Sequence, residues 1–390
     1  MVFVKPLSEI KLDDITTLQQ NKIHESDILD YKSGMIDDDS LIKHVTAFAN
    51  TRGGHIIFGV EGTERGGFPK AIPGIDSKEI NRERMEQILL SNVSPRLHVK
   101  IVEIPHNVEG KSVLLVQIPD SSLKPHMNLR SKKYYRRYEF EAIEMEEREV
   151  SDAYGRRFAT HHQVDEYVRA VVSKSDARCK ALGQIVVIPC ILESRLIDAS
   201  DSQAFAWLDP NKMDFEPAGF VFAPHHGYIP GFPRPSPKGV ICDKDHPQRF
   251  SEYLELHRNG CVEYGDDFGN PVAEKSDLMY FPYSVFCVKL LHTLQFASTV
   301  YSRYNYFGDV RIVASIKPSN NLVIPAQFRS LDQTCKSNSI HVEREFSSTM
   351  LESKWSFIAS GIMHEIFNHF GFWRCPIFDD RGDYVRSKLA

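Results

Sequence analysis

Polar and apolar residues alternate over residues 28–32, so Asp30 and Lys32 share one side of a short predicted strand while Leu29 and Tyr31 take the other. From Asp39 the period changes. Leu41, Ile42, Val45 and Phe48 recur at helical spacing, the residues from Asp37 to Ser40 are N-cap candidates, and Gly53 is a candidate stop. Residues 55–60 read as a short apolar strand with Glu61 at its end. Asp76 with Glu79 has the form of a capping box, which predicts a helix to about residue 91 with Ile80, Met85, Ile88 and Leu89 turned inward. Residues 99–105 and 111–119 flank a turn at 107–110 as a strand pair. A helix from about residue 150 is expected to run into a linker near 158–164.

Beyond that linker the pattern predicts a second α+β domain. Residues 185–191 form an apolar strand, and 253–257 with 261–264 flank Asn259-Gly260 as a hairpin. Pro224, Pro230, Pro233, Pro235 and Pro237 interrupt any long element between them. A helix over 283–304, a strand over 310–316 and a helix over 353–370 complete the chain. The expected architecture is α+β: a mixed domain over 1–158, then a larger domain over 165–390 read as a recognition, sensing or dimerisation unit.

With 390 residues the chain is long enough for two such domains. It has no apolar run of membrane-spanning length, and Met-Val-Phe-Val-Lys-Pro is too short for a signal peptide, so a cytoplasmic protein without a membrane partner is expected. The seven cysteines form no Cys-x-x-Cys pair, which argues against a zinc ribbon or disulfide framework. A net charge of -5 does not advertise a nucleic-acid binder. Locally the picture differs. Arg130, Lys132, Lys133, Arg136 and Arg137 are interleaved with Tyr134, Tyr135 and Tyr138, combining phosphate neutralisation with stacking surfaces. The same run also reads as a solvated basic strand, and the glutamates from Glu139 to Glu149 are available to neutralise it.

The candidate chemistry lies in the first domain. Glu25, Asp30 and Glu61 stand at the ends of one compact unit, and three converging carboxylates suit a divalent metal and a phosphodiester. On one helix Glu25 and Asp30 would stand about 140° apart, so they converge only if one lies outside it. The plain alternatives are a solvated strand edge or cap for the acids and a positive-φ helix stop for Gly53-Gly54. Lys32 is either an ordinary ion-pair partner or a group placed to stabilise phosphoryl charge. In the second half, His364 and His369 are five residues apart, a register that does not put both imidazoles on one helix face. His225-His226 is a metal candidate or a solvated pair, and neither a nucleophile elbow nor a phosphate loop is present.

Glu25, Asp30, Tyr31 and Lys32, the run Phe48-Ala49-Asn50-Thr51-x-Gly53-Gly54, and Gly59-Val60-Glu61 together resemble the AlbA_2 family, a module also found in Schlafen proteins. The resemblance continues through Pro95, the turn at 107–110, Pro125 and the stretch from Tyr134 to Arg137, covering roughly residues 20–155. It implies a metal-dependent endoribonuclease that cleaves structured RNA, transfer RNA foremost, in phage defence or a stress response. Glu25, Asp30 and Glu61 would hold Mg²⁺ or Mn²⁺, Lys32 would assist, and the stretch from Arg130 to Arg137 would position the nucleic-acid backbone. Two departures bear on this. Asp30 stands where glutamate is usual, and vertebrate members carry the third acid at the position of Gly62, whereas many bacterial ones carry it directly after Gly-Val. The alternative is a non-catalytic DNA- or RNA-binding transcriptional regulator with a C-terminal sensor, and nucleotide binding ranks last. Schlafen cores carry two copies of the module and this chain has one, so a homodimer is expected to rebuild the groove.

Overall fold

The structure, a computed structural model, describes residues 3, 7–63, 67–174, 176–192, 196–197, 233–243, 252–272, 277–324 and 333–385. It is α+β and divides into two units, one of residues 1–162 with 302–308 and one of 163–301 with 309–390. Most of the proline-rich stretch, including His225-His226, lies outside the described residues.

In the first unit, α1 (Leu12–Gln20) precedes β1 (Leu29–Lys32), α2 (Asp38–Ala49) and β2 (Gly54–Phe58). Asp37 caps α2 by accepting from the Ser40 amide at 2.9 Å. After α3 (Arg82–Asn92), the hairpin β3 (Lys100–Pro105) and β4 (Lys111–Ile118) joins the same sheet. β1 runs parallel to β2, and β2 antiparallel to β4. Alternation along the strands gives the sheet two apolar faces. Ile56, Phe58, Leu114 and Val116 pack with Leu41, Val45 and Phe48 of α2, whereas Leu29, Tyr31, Ile57 and Leu115 pack with Ile15 and Leu18 of α1. Asp30, between Leu29 and Tyr31 in sequence, is thereby placed opposite their face. A second sheet carries β5 (Lys133–Tyr138) paired with β6 (Glu141–Glu144).

Two expectations about helices are corrected here. The Asp76 cap serves a 3-10 turn, Ser77–Glu79, and α3 begins only after Asn81, whose side chain accepts from Arg84 N at 2.9 Å. The linker near 158–164 does not exist: α4 (Glu147–Val172) runs straight through it. Val164, Val168 and Val171 continue a helical stripe into the second unit's core, so burial sustains the helix past Phe158. Residues 302–308 return to the first unit, where Asn305 donates to the Phe3 carbonyl at 3.3 Å.

The second unit is built on a seven-stranded antiparallel sheet. After the short edge strand Arg234–Pro235 its spatial order is β8 (Gly239–Asp243), β9 (Tyr253–His257), β10 (Val262–Asp267), β7 (Leu182–Pro189), β11 (Asp309–Lys317) and β12 (Ile340–Ser347). Gly260 takes φ +86 in the β9–β10 turn. Helix α5 (Tyr283–Arg303) is buried along most of its length, and Phe268, Phe281 and Phe286 form an aromatic cluster there. Helix α6 spans Ser348–Asn368 with non-helical dihedrals at Lys354, which is why its periodic pattern is readable only from about residue 353. No helix among the described residues is long and apolar enough to cross a membrane.

Gly53 has φ +65, and a Cβ there would stand 2.5 Å from the Asp120 amide nitrogen. Gly53→Ala is therefore expected to destabilise the first unit by at least ~1–3 kcal/mol. Gly34→Ala, with no heavy atom within 4 Å of the added Cβ, is expected to be neutral, and urea unfolding of the two variants checks the contrast.

Candidate active site around Asp30

Asp30 is only 1% exposed. Three nitrogen-bearing side chains surround it: Lys32 Nζ at 2.9 Å from Oδ1, and His44 Nδ1 at 3.3 Å and Arg137 at 3.2 Å from Oδ2. Burial alone would raise its pKa, but the His44 contact, the Lys32 charge, a hydrogen bond with Glu25 and the Arg137 charge outweigh it and hold the carboxyl well below the usual range.

Glu25 lies beside it with the opposite behaviour. Its Oε1 accepts from the Tyr31 amide at 2.9 Å, which ties the residue preceding β1 back onto the strand. Desolvation, reinforced by the hydrogen bond and charge of Asp30, raises its pKa to about 7 against the opposing pull of the Tyr31 amide and Lys32. Two neighbouring carboxyls therefore differ in protonation near neutral pH, the arrangement that separates an acid from a base.

Glu61 does not join them. Its side chain is half-exposed, its carboxylate lies 4.0 Å from Lys70 Nζ, and it forms no three-donor cluster with Glu25 and Asp30 among the described residues. Glu61–Gly62 is instead a two-residue strand paired with Pro69–Ala71. A three-carboxylate ion site is thus not assembled in this structure. Glu25 and Asp30 supply two donors, and Asp30 already has Lys32 and Arg137 as counter-charges with His44 beside them.

The basic stretch is also rearranged. Arg137 does not face solvent to position a nucleic acid. Its side chain is fully buried, donating to Asp30 and to the Ser26 carbonyl and lying 4.5 Å from the Phe48 ring centroid. Arg130 pairs with Asp39 at 2.7 Å, Lys133 with Glu144 at 2.6 Å and Arg136 with Glu149 at 2.5 Å. Of the five, Lys132 alone has no ion pair among the described residues; it is exposed and has φ +59. Much of the local positive charge is therefore neutralised within the fold.

Asn50 and Thr51 explain how Arg137 reaches Asp30. The Asn50 amide donates to the carbonyls of His126 and Tyr135 at 2.8 Å, and Thr51 Oγ1 accepts from the Arg137 amide at 2.8 Å. The end of α2 thus grips β5 at the residue whose side chain enters the site. Sequence reasoning assigned roles to neither His44 nor Asn50. His44 is legible there: it falls three residues after Leu41 and four before Phe48, half-buried in line with the apolar stripe of α2. In the second unit, His364 Nδ1 accepts from the Cys375 amide at 3.2 Å and His369 Nδ1 pairs with the Ser337 hydroxyl at 2.7 Å, so their partners differ.

Residues 25–146 match the family model described as Schlafen, AlbA_2, so the N-terminal part of the chain carries a domain of that type. No curated protein matches the chain significantly. Among solved structures, the N-terminal domain of a RecG-related protein from Nitrosomonas europaea is 18% identical with a TM-score of 0.25, over 35% of this chain and 93% of that one. The DIP2311 protein from Corynebacterium diphtheriae is 18% identical with a TM-score of 0.23, over 37% of this chain and 27% of that one. The domain match associates the first unit with nucleic acid.

Two expectations follow for the cluster. Removing Arg137 leaves Asp30 buried with less counter-charge, so Arg137→Met is expected to cost about 3–5 kcal/mol, with part recovered when Asp30→Asn is added; chemical denaturation of the double-mutant cycle measures this. Because folded Glu25 keeps its proton to about pH 7, against 4.5 for an ordinary glutamate carboxyl, the folded state binds more protons between these values and loses stability as pH rises through that window. Glu25→Gln should flatten that decline, and melting temperatures from pH 4 to 8 check it.

Proposed function

We propose that the first unit cleaves structured RNA, transfer RNA foremost, at the centre formed by Glu25, Asp30 and Lys32. The observation that carries this reading is the placement of Glu25 against buried Asp30 beside a partly exposed lysine, which raises the pKa of one carboxyl and lowers that of the other. Ionised Glu25 can accept the proton of an attacking hydroxyl as its oxygen bonds to phosphorus, the opposite P–O bond breaks with the leaving oxygen protonated from solvent, and Lys32 can neutralise charge developing on the phosphoryl oxygens. Asp30 acts by holding Lys32 and His44 in place. Mg²⁺ or Mn²⁺ enters the proposal through Glu25 and Asp30 only; Glu61 as placed gives no third donor, so no step is assigned to an ion. A cytoplasmic homodimer, with a role in phage defence or stress, completes the reading.

The second reading, a non-catalytic nucleic-acid-binding regulator with the second unit as sensor, is favoured by a different observation. Asp30 is paired with Lys32 and Arg137 and contacted by His44 rather than left bare for a metal. Incubating the purified chain with total transfer RNA and with plasmid DNA, each with Mg²⁺, Mn²⁺ or chelator, separates the two. Cleavage of RNA, falling ~100-fold or more in Glu25→Gln without loss of fold, is the expected outcome, and the chelator arm reports whether an ion takes part. Binding without cleavage under every condition would establish the regulator reading instead. Asp30→Ala is a poor probe, because it strands the buried Arg137 guanidinium; Lys32→Met is the better companion, and light scattering reports the oligomeric state.

A further inference from the structure

The second unit contains a polar cluster that the proposed RNA chemistry does not use. Glu255 and His257 lie two residues apart on β9, hence on one face, and Glu263 stands directly across from Glu255 on β10. All three are buried, with His257 1% exposed and Glu263 fully buried. One ligand atom from each comes within 4.8 Å of the other two. His257 Nε2 is 3.3 Å from Glu255 Oε2 and 3.2 Å from Glu263 Oε2, yet this buried nitrogen has no hydrogen-bond partner.

The remaining polar atoms of the three side chains are held by hydroxyls, with Lys174 Nζ also on Glu263 Oε1. Ser236 donates to Glu255 Oε1 at 2.7 Å, Tyr253 donates to Glu263 Oε1 at 2.6 Å, and the Tyr167 hydroxyl is hydrogen-bonded to His257 Nδ1. Each side chain is thus anchored by one atom while the other converges on a common point, as an outer shell orients metal ligands. When Nδ1 donates to Tyr167, the lone pair of Nε2 faces two carboxylate oxygens, an arrangement that a cation at that point satisfies. Lys174 Nζ lies 2.7 Å from Glu263 Oε2 and Lys238 Nζ lies 3.9 Å from it. Their side chains, 34% and 43% exposed, mark the side from which an ion enters and compete with it for that oxygen.

We propose that Glu255, His257 and Glu263 form a binding site for one first-row divalent ion, Zn²⁺ or Mn²⁺ being the ions that suit two carboxylates and one imidazole. The site lies wholly in the second unit and is independent of the RNA reading. The full chain is stripped with chelator and dialysed against Zn²⁺ or Mn²⁺, and bound metal is counted by mass spectrometry alongside the melting temperature. The expected result is one equivalent and a raised melting temperature, both lost in the near-isosteric Glu255→Gln and Glu263→Gln. A crystal of the wild-type chain grown with the ion locates it by anomalous scattering, with an expected peak about 2.0–2.2 Å from Nε2 and the two Oε2 atoms. A wild-type chain with no peak there, or folded variants that keep the full stoichiometry and thermal shift, would overturn the proposal in favour of an imidazolium–carboxylate–lysine network. If the variants do not fold, the wild-type peak decides alone.

Discussion

The pairing of Asp30 with Arg137 organises the first unit. The two residues are 107 positions apart and reside on different sheets, so their contact fixes β5 against the end of α2 and against β1. A buried ion pair is weak evidence for stability, since desolvating both charges offsets most of their attraction. Its stronger consequence here is register. Arg136 and Arg137 project to opposite sides of β5, one to Glu149 on α4 and one to Asp30. A one-residue slip that brought Tyr138 to the position of Arg137 would leave Asp30 buried without its deepest counter-charge.

From that constraint the electrostatics of the site follow. With Arg137, His44 and Lys32 around it, Asp30 stays ionised despite burial, and the cost of placing a second anion next to it falls on Glu25. The site therefore combines an acid that releases its proton near neutral pH, a fixed carboxylate and a lysine, all positioned by one short strand and the loop before it. The basic stretch expected to grip a phosphate backbone is instead largely consumed by the fold. Its arginines and lysine at 130, 133, 136 and 137 each meet an acid, so the fold itself uses most of that local charge.

The two units use buried charge differently. Around Asp30 the partners are drawn from three separate elements, and burial beside it leaves the Glu25 carboxyl with a raised pKa. Around Glu263 two carboxylates and an imidazole come from a single hairpin, with lysines at the rim. In both places hydrogen bonds from neighbouring residues fix the side chains. The seven-stranded sheet can carry this polar cluster because its opposite face is sealed by α5 and the Phe268, Phe281 and Phe286 cluster.

Local patterning determined a great deal. The alternation around Asp30, the helical period from Leu41 to Phe48, the Asn259-Gly260 hairpin and the long apolar helix from Tyr283 are all present where their periodicity placed them, because each is set by interactions within a few residues. The run through Asn50-Thr51-x-Gly53-Gly54 marked the N-terminal module for the same reason: a helix end that must bind a distant strand and pass close to backbone tolerates few other residues. Tertiary structure decided what local patterns cannot encode. Whether Val164 continues a helix or begins a linker depends on a core that only the folded sheet supplies. Whether Arg137 meets solvent or Asp30, and whether Glu61 converges with Glu25 or turns toward Lys70, depends on contacts between elements far apart in the chain. Charge spacing along a sequence carries no information about which partner a buried group will find; burial raises the cost of an unpaired charge, and the fold selects the pairing.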